Sequence, residues 1–206
     1  MEDPDGDRRV PRTFFARDVL QVARELLGVS IVHGGVTIRL TEVEAYAGES
    51  DPGSHAFRGR TPRTEVMFGP AGHLYVYFTY GMHYCANVVT GTSGSASAVL
   101  LRAGEVIAGE EIAQARRVGI RPRDWARGPA RLASTLGLGR EHNGADACGR
   151  RRQPRFVRPD VLPRLAPATV RTGPRVGVSG PGGDGAAYPW RFWLNGEPTV
   201  SPYRAR

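Results

Sequence analysis

The alternation of apolar and polar positions divides the chain into short segments of two kinds. Val19, Val22, Ala23, Leu26 and Leu27 recur at helical spacing, Asp18 stands at the N-cap with Gln21 three residues on, and Gly28 follows. A first helix is therefore predicted over 18–27. Residues 29–32 and 36–46 read as two strands joined at His33-Gly34-Gly35, a turn whose residues tolerate positive φ. Residues 47–73, with Gly, Pro and Ser throughout, read as a loop of the length that is functional or disordered in compact domains. Leu74–Thr79 and Tyr84–Val89 are β-rich and flank Tyr80-Gly81-Met82-His83, a second hairpin. A strand is predicted over 98–102, a helix over 105–118, and a shorter helix over 129–136 with Pro129 in its first turn and Gly137 past its end. After residue 149 the run GRRRQPRFVRPDVLPR reads as an exposed excursion, and 175–179 and 190–194 as closing strands around a Gly-rich loop at 180–187. Short strands with few helices and no βαβ rhythm predict an α+β fold: one domain, a curved, mainly antiparallel sheet, a protruding β-hairpin and a few surrounding helices.

Composition narrows the picture. At 206 residues and 40% hydrophobic, the chain suits one core over residues 12–206, with a polar tail predicted for 1–11. No apolar run suggests a signal segment or membrane span, so a cytoplasmic protein is expected, nucleoid-associated if bacterial. Cys85 and Cys148 are expected to be free thiols, and no ligand spacing suggests a metal. The net charge is +8, and residues 1–149 balance 17 Arg with 17 acids, while residues 150–206 carry 11 Arg against Asp160, Asp184 and Glu197. Such a surplus attracts polyanions, phosphate backbones above all, although solubility or an Arg-rich genome explains it as well. The chain contains no lysine. A side-chain Schiff base is thus excluded, leaving only the terminal amine, and every cationic contact must be made by Arg.

Candidate chemistry gathers between residues 41 and 90. Alternation along the strand puts Glu42, Glu44 and Tyr46 on one face, with the two carboxylates roughly 6.6 Å apart. That separation suits an inverting sugar hydrolase, and the same pattern also describes a solvated strand face. Tyr75 and Tyr77 share a face of the next strand and, with Tyr46 and His55, can form an aromatic slot for a planar ring, stacking on which is worth about 1–3 kcal/mol. An ordinary aromatic core is the alternative, weakened by the cost of burying Glu42, Glu44, His55 and Asn87 beside it. Tyr80 at a hairpin tip has the placement of a wedge that keeps a duplex open after a base is extruded, or of a plain turn residue.

In this order EVEAYAG, SHAFRGRTPR, MFGPAGHLYVYFTYGMHYCANV and VLLRA closely resemble the alkyladenine (3-methyladenine) DNA glycosylase family, from about Phe14 to Val200. Weaker matches are GPARLASTLGL at 128–138 and RVGV at 175–178, and residues 140–170 match poorly. The resemblance implies that Glu44 is the catalytic residue that deprotonates water for attack on C1′, with Glu42 structural or supporting. It implies that Tyr46, His55 and Tyr77 stack on the extruded base, and that Asn87 crowds the 2-amino group of normal guanine. It further implies that Tyr80 intercalates, with Gly81 and Met82 beside it on the DNA, and that Arg102 and Arg131 lie near the DNA backbone. The implied protein is a monofunctional enzyme without cofactor, a monomer acting on double-stranded DNA that carries alkylated purines. Two rivals differ in class. One is a sugar hydrolase using both Glu42 and Glu44. The other is a DNA-binding module without activity, which would gain support only if the acid were missing.

Overall fold

The computed structural model describes residues 8–149, 154–159 and 169–203. Most of the basic run after Gly149 and the tail at 1–7 lie outside the described residues. The described helices are α1 (Arg12–Phe15), α2 (Val19–Leu26), α3 (Glu110–Arg116) and α4 (Pro129–Leu136). The strands are β1 (Ser30–His33), β2 (Val36–Tyr46), β3 (Leu74–Thr79), β4 (His83–Val89), β5 (Ala98–Ala108), β6 (Arg155–Val157), β7 (Val170–Gly173) and β8 (Arg191–Leu194). They form one open sheet in the order β3-β4-β5-β2-β1-β6, with β8 joining β2 and β7 joining β8, every pair antiparallel. The fold is the single α+β domain that the pattern predicts.

Strand β2 is the spine. One edge pairs with β5 along nearly its whole length, while the other pairs first with β1 and then, from Glu42 to Glu44, with β8. Between Leu40 and Val43 the register against β5 slips twice. The apolar positions change parity there: Val36, Ile38 and Leu40 face the core before the slip, and Val43 and Ala45 after it. A bulge of this kind bends a strand and re-aims its side chains. It turns Glu42, Glu44 and Tyr46 together onto the face away from the core. The core itself is α2 packed on β2 and β5, with α4 packed across β4, β5 and β2.

Local signals acted largely as the pattern implies. Asp18 accepts hydrogen bonds from the N–H groups of Leu20 and Gln21 and starts α2, and Gly34 and Gly35, both at positive φ, close the β1–β2 turn. Four expectations need correction. The helix predicted from 105 is strand as far as Ala108, because Glu105 pairs with Arg39 on the adjoining strand, and α3 begins only after Gly109. Gly109 adopts a left-handed conformation so close to Gly35 that a Cβ would lie 2.1 Å from its carbonyl oxygen. Part of the supposed excursion, Arg155–Val157, pairs with β1 and buries Phe156. The tail ends sooner than residue 11: Val10 is buried and donates its N–H to Phe156 O. Residues 175–179 are not a strand; a different segment, β7, pairs with β8. Among the described residues no helix is long and apolar enough to cross a membrane.

Candidate active site

The two carboxylates that the bulge brings to one face are both fully buried, yet their surroundings differ. Glu42 Oε1 accepts hydrogen bonds from Arg102 Nε at 2.8 Å, Arg191 Nε at 2.7 Å and Ser201 Oγ at 2.9 Å, and Oε2 accepts one from Ser201 N at 2.6 Å. Four donors from β5, β8 and the C-terminal segment engage it and tie these elements to β2. With two guanidinium groups and Ser201 on it, Glu42 is tied into the fold, which argues against the sugar-hydrolase pairing suggested by spacing.

Glu44 has fewer partners. Its Oε1 accepts from Val176 N at 2.7 Å and its Oε2 from the Tyr46 hydroxyl at 2.9 Å, with Arg102 Nε 3.5 Å from Oε1. A carboxylate oxygen has two lone pairs, so both oxygens retain capacity for water. Burial raises the Glu44 pKa above the usual carboxylate value, while Arg102, the Val176 N–H and the Tyr46 hydroxyl hold it back and nearby Glu42 adds to the rise. Tyr46, Arg102 and Val176 line a cavity of about 750 Å³, and Glu44 sits directly behind that wall.

The cavity is flanked by aromatic rings. Tyr75 and Tyr77, on alternate positions of β3, lie with centroids 5.4 Å apart at an interplanar angle of 29°, and His55 meets Tyr77 edge-on at 4.6 Å. His55 Nδ1 is 3.1 Å from the Tyr75 hydroxyl and its Nε2 3.4 Å from Arg63, a donor. Arg63 can only donate, so the imidazole proton is assigned to Nδ1. Desolvation, reinforced by Arg63, lowers the His55 pKa to about 4, and the ring is neutral at neutral pH. Burial likewise raises the Tyr77 pKa, keeping the phenol protonated. Asn87 donates Nδ2 to Tyr75 O at 3.0 Å, which leaves its carbonyl oxygen for the cavity it lines.

At the cavity mouth, the β3–β4 turn carries Tyr80, Gly81 and Met82, with Tyr80 and Met82 71% and 70% exposed. Tyr80 has φ of 51°, a positive value that no other non-glycine among the described residues shows. Holding it there costs about 1–3 kcal/mol.

Thus Tyr46, His55, Tyr77, Asn87 and Tyr80 line one cavity, and Glu44 stands behind it in contact with Tyr46 and Val176. Arg102 and Arg131, which the resemblance implies lie near the DNA backbone, have different settings. Arg102 is buried, with Nε engaged by Glu42, and lines the cavity. Arg131 is exposed on α4, 3.5 Å from Asp124 O, outside the lining to which Pro129 belongs. Pattern reading missed Arg175. It is almost fully buried, forks onto Asp51 at 2.6 and 2.7 Å, and lies over the Tyr46 ring at 4.6 Å. The RVGV match at 175–178 marked the place, but composition credited its arginine to a basic surface. Arg191, buried against Glu42, was credited in the same way.

A family profile described as methylpurine-DNA glycosylase matches residues 13–198. A Streptomyces avermitilis protein provisionally named 3-methyladenine DNA glycosylase is 55% identical over 199 residues, covering 94% of this chain and 91% of its own. A Leifsonia xyli subsp. xyli protein of the same provisional name is 53% identical, covering 94% of this chain and 92% of its own. One from Burkholderia cenocepacia is 44% identical, covering 93% and 90%.

Proposed function

Because the chain belongs to the methylpurine-DNA glycosylase family, we propose that it is a monofunctional DNA glycosylase of base-excision repair. It turns an alkylated purine of the 3-methyladenine and 7-methylguanine class out of duplex DNA and hydrolyses the N-glycosidic bond with water activated by Glu44. One observation carries this reading: an incompletely saturated, buried carboxylate directly behind the wall of a cavity whose sides are Tyr75, Tyr77 and His55.

The chemistry follows from that arrangement. Flat rings accept a purine face, and a neutral His55 adds no charge against a cationic base. Alkylation makes the base a good leaving group, so the site mainly supplies geometry and water. Glu44 takes the proton of water and its negative charge stabilises the oxocarbenium-like sugar. With no lysine in the chain, strand nicking through a side-chain amine has no candidate. One cavity serves one base, so the monomer is the working unit.

Incubation with methylated duplex DNA, no metal added, tests the reading. Free alkylpurine and abasic sites without strand breaks are expected; no base release, or nicking by pure protein, would contradict it.

Two further outcomes are expected. Tyr80 is exposed at the cavity mouth and held in a costly conformation, which supports a wedge that fills the gap left by the extruded base. Tyr80→Ala should therefore reduce excision from duplex by roughly 5- to 150-fold, the stacking of one base on an aromatic ring being about 1–3 kcal/mol. Excision from single strands should change far less, and equal losses on both would remove the wedge role. The second outcome concerns pH. Burial raises the affinity of Glu44 for a proton, so acid neutralises this base before it would an ordinary carboxylate. Excision of an N7-alkylated guanine, whose charge in acid comes from the alkyl group, should fall along an acid limb centred above the usual carboxylate range. A limb at or below that range would take the base role from Glu44.

A further inference from the structure

A general base works only if its carboxylate keeps one orientation, and the two groups that orient Glu44 need support of their own. Val176 N–H and the Tyr46 hydroxyl each hold one Glu44 oxygen. Both lead to Arg175, which precedes Val176 in the chain and has its guanidinium carbon 4.6 Å from the centre of the Tyr46 ring. Its NH1 donates to Ala45 O at 3.0 Å and Asp51 Oδ2 at 2.6 Å, and its NH2 to Asp51 Oδ1 and Gly182 O, both at 2.7 Å. Asp51 in turn accepts from Ala47 N at 3.1 Å and Gly53 N at 2.9 Å. One planar cation therefore clamps the end of β2, the turn after it, the 175–178 segment and the 180–183 turn.

The clamp is tight. A Cβ on Gly53 would lie 2.3 Å from the Arg175 guanidinium, and one on Gly182 2.2 Å from Gly53 N. Lysine could not replace the arginine, because an ammonium lacks the planar fork that meets both Asp51 oxygens and two carbonyls at once.

We infer that the Arg175–Asp51 pair is a positioning element for Glu44: it sets the Val176 N–H and the Tyr46 hydroxyl and thereby aims the carboxylate at the attacking water. This role rests on the reading of Glu44 as the base. Arg175 and Asp51 lie behind the cavity lining, so the pair acts through Glu44's neighbours and not on substrate. The other charged or titratable groups near Glu44 are Arg102 from β5, Glu42 and Tyr46 on β2, Tyr77 from β3 and Cys85 from β4. Of these only Tyr46 touches the clamp.

Loosening the clamp withdraws a hydrogen-bond donor from the charged form of Glu44, which raises its proton affinity further and moves the acid limb of excision to higher pH. The test compares the parent protein with Asp51→Asn and Arg175→Lys in single-turnover excision across pH. Binding to a duplex carrying a stable abasic-site analogue, and folding by circular dichroism, are measured beside it. A positioning role predicts a rate loss of roughly 10- to 100-fold, the scale set by small misplacements in an active site. It also predicts an acid limb at higher pH and unchanged duplex binding. Folded variants that excise at the parental rate, or lose rate with the acid limb unmoved, would overturn it. If neither variant folds, the pair is structural alone and the positioning role is equally overturned. A parent that releases no base overturns the glycosylase reading first and this role with it, so the two failures are distinguishable.

Discussion

Glu44→Gln is expected to lower single-turnover excision by at least ~10²- to 10⁴-fold, the range for removing a general base. The change preserves shape: a glutamine carbonyl can still accept the Val176 N–H, whose bond to Oε1 is 2.7 Å. What disappears is the proton acceptor, together with the negative charge facing the developing sugar cation. Duplex binding should persist, because Glu44 lies behind the wall and Tyr46, His55 and Tyr77 remain in place. Base release from a duplex containing one 7-methylguanine, measured beside binding of an abasic-site analogue, separates the two effects. Release of base at the parental rate would exclude the proposed mechanism.

Glu42→Gln should strike stability instead of chemistry. The substitution neutralises the anion that Arg102 and Arg191 share, leaving two buried guanidinium groups without their carboxylate. Removing one partner of a buried ion pair costs about 3–5 kcal/mol. For a chain of this length that corresponds to a fall in Tm of roughly 6–20 °C. Denaturant or thermal unfolding measures the loss, and assays well below the melting range should still detect excision. An unchanged Tm combined with abolished excision would reverse the roles assigned to the two glutamates.

The difference between those residues shows how far the chain could be read in advance. Strand alternation correctly put Glu42, Glu44 and Tyr46 on one face, because that relation is local. It could not say who stands opposite. Arg102, Arg191 and Ser201 lie 60, 149 and 159 residues from Glu42 along the chain, and their convergence depends on the whole sheet closing. Charge was misread for a related reason: composition cannot distinguish an arginine in solvent from one clamped against Asp51, so Arg175 was assigned to a basic surface. The predicted helix from Glu105 failed because pairing with β2, including the Arg39–Glu105 contact, outweighed local helical preference. Elements with their own punctuation, such as α2 behind Asp18 and α4 between Pro129 and Gly137, were legible to within two residues at each end.

The slip in β2 between Leu40 and Val43 has one more consequence. It works as a change of reading frame within a single strand: upstream, even-numbered side chains supply the core, and downstream the odd-numbered ones do. A strand of the same sequence running through without the slip would keep the even-numbered frame and rotate both carboxylates into the apolar layer. The slip between Leu40 and Val43 is therefore as firmly tied to the candidate chemistry as the identity of Glu44.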